Sequence, residues 1–339
     1  MALLAPFVLA VLFALLLTPS GIRVAWAVGY LDHPEARKLH TSATALLGGI
    51  VVFVSALAAW LVTLGLRRIP ADKEAEFLLA GALVALLVGL WDDRFGMRPS
   101  IKLLGQGTAA VVLMASGAIP ALGLPTAANV FVTLVALISL MNAVNFLDNM
   151  NGMVGGLSAI VLAAFALSSA ARGAYGVAAA QLALSGACVG FLRFNFPRAK
   201  IFLGDAGSLF LGYSLGASAV LAYRNAPAGW GRYGAVLMLA YPAFDMIFVV
   251  VNRLREGRKV YEGGKDHSNH RLARVIQCQT RTVLLLWLSG AALCVSGLVV
   301  LNLNRPLPTL LMSGLWTVLF LWMGLRLSSV PHRAPSPAP

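Results

Sequence analysis

Charge is what this sequence has least of. Only 12% of its 339 residues are charged, about half the share of a soluble globular domain, while 59% are hydrophobic and the mean hydropathy is +0.82. That shortage excludes a water-facing surface around one buried core and leaves a polytopic membrane protein. Acidic residues are rarer still, 13 against 26 Lys and Arg. The three cysteines, Cys188, Cys278 and Cys294, have neither CxxC nor zinc-type spacing. A disulfide framework or cysteine metal site is therefore excluded, and these residues read as packing. No charged segment precedes the first apolar run at 1–17, so it reads as a first span rather than a cleaved signal. Internal repeats and soluble-domain linkers are also lacking. We expect one integral membrane domain over 1–330 and a disordered Pro-rich tail over 331–339.

What is present is a series of apolar runs. About 20 such residues cross a bilayer, and about eleven runs occur, near 3–28, 45–66, 76–91, 101–118, 128–145, 153–172, 176–192, 207–223, 232–252, 282–302 and 306–327. The predicted fold class is an all-α bundle of about eleven transmembrane helices. Gly81, Gly89, Gly186 and Gly190 are placed to let helices pack closely. Numbering the loops alternately puts 19 Lys and Arg on one side and 7 on the other. The richer side is expected to be cytoplasmic, with the N-terminus outside and the C-terminus inside. All five histidines and most carboxylates fall on that side. A net charge of +13 that is spread over short loops suits anionic lipid or phosphate partners, not nucleic acid.

The one-sided loops carry the candidate chemistry. In the first, Arg37, Lys38 and His40 precede Gly48 and Gly49 and are suited to a phosphate or nucleotide, or simply to anchoring on the positive side. Adjacent Asp92 and Asp93 follow an apolar run. Two neighbouring carboxylates near lipid need a cation or a proton, which suggests a Mg²⁺ site or a general base. Lys102, ten positions after Asp92, is within reach of a phosphate. NAVNFLDNMNG crowds Asn142, Asn145, Asp148, Asn149 and Asn151 at the end of a span, where a nucleotide, a metal shell or neighbouring helices would satisfy them. In FNFPRAKIFLGDAGS, a glycine hinge around Asp205 opens an apolar helix. Its first N–H groups could face a phosphate and Asp205 a hard cation; the alternative is an ordinary capping turn. In DHSNHRL, His267 and His270 stand beside Arg271; two histidines make a weak metal site, so anion binding or a solvated basic loop is the reading.

Taken together and in order, RKLH with GG, DD, NAVNFLDNMNG, NFPRAKIFLGDAGS and DHSNHRL resemble the bacterial polyprenyl-phosphate N-acetylhexosamine-1-phosphate transferases, over about residues 30–275. The superfamily includes the phospho-N-acetylmuramoyl-pentapeptide transferase. The resemblance implies ten or eleven transmembrane helices with a cytoplasm-facing site in the inner membrane. It also implies transfer of a sugar-1-phosphate from a UDP-N-acetylhexosamine to polyprenyl phosphate, with release of UMP. The implied cofactor is Mg²⁺, with Mn²⁺ as an alternative, and a homodimer is left open. By the same resemblance Asp205 is the leading metal ligand, joined by Asp92, Asp93 and Asp148. Asp148, Asn195 and Phe202 match nucleotide-pocket positions, and His267, His270 and Arg271 a histidine motif near the diphosphate. Departures are Asn149 where the family often has Gly, Asn151 for Asp, Asn269 for a middle histidine, and Ala43, Ala45 and Leu46 for prolines and an arginine. The absence of consecutive histidines favours the hexosamine branch over the pentapeptide one. A transporter for an anionic metabolite is the alternative from another class, opposed by the one-sided carboxylates. DDRFG is not the DDxxD of a prenyltransferase.

Overall fold

The computed structural model describes residues 3–33, 43–66, 68–259, 264 and 266–330. Within them lie thirteen α-helices: α1 (Leu4–Ala27), α2 (Gly48–Gly65), α3 (Lys73–Phe95), α4 (Pro99–Ala115), α5 (Thr126–Leu147), α6 (Met153–Ala171), α7 (Tyr175–Asn195), α8 (Gly204–Asn225), α9 (Tyr233–Leu237), α10 (Ala240–Arg255), α11 (Ser268–Ile276), α12 (Gln279–Leu303) and α13 (Pro306–Ser328). The only sheet among the described residues is a two-residue antiparallel pair, β1 (Leu31–Asp32) and β2 (Thr44–Ala45). The predicted tail at 331–339, like Arg37, Lys38 and His40, lies outside the described residues.

Each expected span has a helix, with two refinements. Among the described residues, nine helices are long and apolar enough to cross a membrane, or up to ten if the bent pair at 230–255 counts as one. That pair breaks between α9 and α10 with a 64° bend, where sequence hydropathy saw one continuous run. The remaining run is α4, 17 residues long, started by a proline at its first turn. Side-chain contacts show that α4 and the bent pair both run from face to face. On the face away from the acidic loops, Arg224 at the end of α8 pairs with Glu74 at the start of α3. It also donates to the Gly117 carbonyl just past α4. Arg232, before α9, donates to the Ala121 carbonyl, and Arg172, after α6, to the Leu301 carbonyl near the end of α12.

α8 is the axis of the bundle: 89% of its apolar window is buried, against 6% for α13. The four glycines noted above all sit at helix contacts. Gly81 faces Tyr213 of α8, and Gly186 and Gly190 face Phe7 and Val11 of α1. Gly89 matters most for function. Any Cβ there would run into the backbone of Asp205 and Ala206, so α3 touches the first turn of α8 only because position 89 has no side chain. One turn further along α3 come Asp92 and Asp93.

Candidate active site

α3 ends at Gly96, whose φ of 66° suits glycine, and α4 turns back beside it. This hairpin returns Lys102 to the end of α3. The Lys102 ammonium lies 2.7 Å from Asp92 Oδ2 and 2.7 Å from Asp205 Oδ2. Asp92 Oδ1 accepts from the Met97 amide at 2.7 Å. Consecutive helical side chains diverge by about 100°, so Asp93 points elsewhere. Its two oxygens accept from the amides of Asp205 (2.8 Å) and Ala206 (3.0 Å). Asp93 thus caps α8 from another helix, a charge well placed at a helix N-terminus. The sequence suggested either an anion or a cap at these amides; the geometry gives them to Asp93.

The end of α5 closes the cluster. Asn145 Nδ2 donates to Asp205 Oδ1 and to Ser208 Oγ, both at 2.8 Å. Asn142 pairs with Gln106 of α4. Asp148 follows α5; desolvation, reinforced by the charges on Asp205 and Asp93, pushes its carboxyl up to about 8. Two of these carboxylates, Asp92 and Asp205, meet at one ammonium, which leaves an excess of negative charge for a further cation.

The other expected nucleotide-pocket residues hold loops in place. Asn195 Oδ1 accepts from the Gly152 amide and its Nδ2 donates to the Ile201 carbonyl, both at 2.8 Å. Asn151 donates to the Pro197 carbonyl at 3.2 Å. The backbone of Phe202 donates to Ala45 and accepts from Gly48. The glycine pair at 48–49 thus docks the segment leading into α8.

The histidine motif forms a short helix that hydropathy did not reveal. His267 precedes α11, and its Nδ1 lies 2.8 Å from Asp245 Oδ2. Asp245 Oδ1 accepts from the Ser268 amide (2.8 Å) and hydroxyl (2.5 Å). Asp245 thereby caps α11 and orients the His267 ring through Nδ1. In the sequence Asp245 is only a carboxylate isolated within the apolar run at 232–252. The signal that could have found it was that very isolation. His270 is buried beside His267, with ring centroids 6.3 Å apart. Arg271 is placed differently from the expectation. Its Nη1 donates to the carbonyls of Leu327, Ser328 and Val330, which closes the C-terminus of α13. Asp266 is held bidentately by Arg253 at 2.8 Å and by Arg258 at 2.9 Å. Burial alone would raise its carboxyl; Arg253 overcomes this and holds it well below the usual range.

No group of three or more His, Cys, Asp or Glu forms a metal cage among the described residues. Mg²⁺ does not need one: it is commonly held by one or two carboxylates together with substrate phosphate. Asp92 and Asp205 already direct one oxygen each at a single cation, Lys102, and both are hard donors. The donor set fits Mg²⁺. Nearby, an apolar groove of about 850 Å³ runs between α5, α8, α9, α10 and α13. It passes Tyr233, Leu137, Phe244 and Phe320 and reaches Asn252 and Arg255 on the face that holds the acidic cluster.

Residues 76–223 match the Glycosyl transferase family 4 model, a span that contains every site residue from Asp92 to Asp205. The chain is 32% identical over 298 residues to the decaprenyl-phosphate N-acetylglucosaminephosphotransferase of Mycobacterium tuberculosis, covering 77% of this chain and 73% of that one. It is 27% identical to the probable undecaprenyl-phosphate N-acetylglucosaminyl 1-phosphate transferase of Bacillus subtilis, over 86% and 83% of the two chains. To the undecaprenyl-phosphate alpha-N-acetylglucosaminyl 1-phosphate transferase of Escherichia coli O157:H7 it is 28% identical, over 92% and 88%.

Proposed function

The chain belongs to the Glycosyl transferase family 4, and from that premise we propose that it transfers an N-acetylhexosamine-1-phosphate from a UDP-sugar to a polyprenyl phosphate. UMP is the leaving product, and the lipid-linked sugar starts a cell-envelope glycan. The observation that carries this reading is the convergence of Asp92, Lys102, Asn145 and Asp205 on one face of the bundle. The apolar groove reaches that same face. A reaction between a water-borne nucleotide and a lipid phosphate needs both features at one level of the membrane. We assign this face to the cytoplasm, on the charge asymmetry of its loops.

Asp92 and Asp205 would hold Mg²⁺, or Mn²⁺, and the bound ion would supply positive charge to the diphosphate. Lys102 adds a cation at the same place, and the Asn145 amide fixes Asp205. An oxygen of the lipid phosphate attacks the sugar-linked phosphorus, and the bond to the bridging oxygen breaks, leaving that oxygen on UMP. Such a transfer is mainly a matter of positioning and charge stabilisation. The lipid phosphate is already largely anionic near neutral pH, so Asp92 need not act as a base. His267 presents Nε2 towards the substrate while Asp245 holds Nδ1. The groove takes the prenyl tail. The test is UMP release by the purified protein with UDP-N-acetylglucosamine and polyprenyl phosphate, with and without a chelator. No UMP from any UDP-sugar in a panel would overturn the proposal.

A further inference from the structure

Asp205 is gripped from two helices at once. Lys102 of α4 holds one of its oxygens and Asn145 of α5 the other. One turn deeper in α4, four positions on, stands Gln106; about one turn deeper in α5, three positions back, stands Asn142. These two side chains pair reciprocally. Asn142 Nδ2 donates to Gln106 Oε1 at 2.9 Å, and Gln106 Nε2 donates to Asn142 Oδ1 at 3.3 Å. Asn142 Nδ2 also donates to the Ile138 carbonyl of its own helix at 2.8 Å, which fixes the way its amide faces. Gln106 is fully buried, and among the described residues no other side chain of α4 hydrogen-bonds to α5.

Apolar side chains alone would let α4 rotate or slide against α5 at little cost, because one methyl contact replaces another. A buried amide pair does not allow this. Any other register leaves two buried amides without partners, and an unpaired polar group is costly where there is no water to meet it. A core asparagine sets the register of a coiled coil for the same reason. We propose that Gln106 is a positioning residue: paired with Asn142, it holds α4 on α5 in the register where Lys102 and Asn145 grip the two oxygens of Asp205 together. The inference rests on the transfer reaction proposed above. It concerns where the charges of that site stand, not which groups carry them.

The test follows UMP release from UDP-N-acetylglucosamine and polyprenyl phosphate by the full-length protein, with Tm measured alongside. Gln106→Leu keeps most of the side chain's bulk and removes its amide. We expect kcat to fall about tenfold or more as Lys102 leaves its place, with KM for both substrates within about twofold of wild type. Exchanging the two amides, Gln106→Asn with Asn142→Gln, keeps the pair and its summed length, and should recover most of the rate that either half of the exchange loses. In a cycle with Lys102→Gln the two losses should not multiply, because Gln106 acts through Lys102. Should Lys102→Gln be too slow to measure, the exchange decides alone. A kcat for Gln106→Leu within about threefold of wild type would overturn the proposal. So would losses that multiply in the cycle, or an exchange variant as slow as its halves. Where Gln106→Leu lowers Tm, adding Asn142→Leu leaves no amide unpaired and should restore stability without restoring rate; a rate that returns with Tm would make the pair structural only. A wild-type protein that releases no UMP sinks the activity reading and this inference with it. An active wild type indifferent to Gln106→Leu sinks the inference alone.

Discussion

Replacing Asp93 by asparagine separates two roles that adjacent carboxylates are easily assumed to share. An asparagine keeps one accepting oxygen and turns an amide nitrogen towards the other α8 N–H. One of the amides of Asp205 and Ala206 then loses its acceptor. A buried donor left unpaired costs about 1–3 kcal/mol, and loss of a charge at a helix N-terminus adds about 0.3–1 kcal/mol. The expected destabilisation is therefore about 1–4 kcal/mol, visible as a lower Tm in detergent. Asp205 sits at the displaced end of α8, and a misplacement of about 1 Å can cost about a hundredfold in rate. Asp92→Asn differs: its Oδ1 keeps the Met97 amide, and what disappears is the negative charge shared with Asp205 around Lys102. UMP release measured across a Mg²⁺ series should show a higher midpoint for Asp92→Asn. For Asp93→Asn the midpoint should be unchanged, with a lower plateau and a lower Tm. A raised Mg²⁺ midpoint in Asp93→Asn without loss of Tm would refute the division of labour. Three curves that differ only in plateau would remove both residues from the metal.

Asp205→Asn should abolish transfer while the protein remains folded and inserted; near-normal activity at ordinary Mg²⁺ would remove Asp205 from the metal site. Asp266→Asn should destabilise the link between α10 and α11. Because the folded carboxyl is held below its ordinary value of 3.8, the stability gap from wild type should be constant from neutral pH down to about 4 and shrink below it. A gap that grows as pH falls would contradict the pairing with Arg253. For topology, Ser268 is a poor labelling position because it is buried against Asp245. Gln279→Cys in a Cys278→Ser background, on the exposed start of α12, should resist an impermeant thiol reagent in intact cells and react after permeabilisation. Labelling in intact cells would place this face outside.

The elements most legible in the sequence were those whose signal is local. Apolar length marked the spans, and the adjacent Asp92 and Asp93 signalled the need for a cation, which Lys102 meets at Asp92. What was hidden depends on partners far apart in the chain. Asp93 caps a helix more than a hundred residues later, and no property of Asp92-Asp93 says which of them does so. Asp245 reads as an anomaly in a span until His267 and Ser268 are placed against it. Arg271 sits in a motif that suggests substrate, while its guanidinium closes the last turn of α13. Hydropathy averages over a window, so it smoothed away the break between α9 and α10 and could not separate α11 from a basic loop.

The groove has an unequal pair of walls. On one side stands α8, buried almost throughout; on the other stands α13, with Trp316 and Phe320 turned to the groove and Val318 and Trp322 exposed on its opposite side. That second wall is one helix thick, and the surrounding bilayer is its only backing. Its end is fastened through Arg271 to the helix that carries the histidines. Lateral pressure from the lipids would thus bear on the histidine helix through the Arg271 guanidinium and through Leu272, which packs beside Leu327, and the membrane itself would become a mechanical component of the site. Extraction into detergent relaxes that pressure, so catalysis should recover when annular lipid is returned, even where the fold has never been lost.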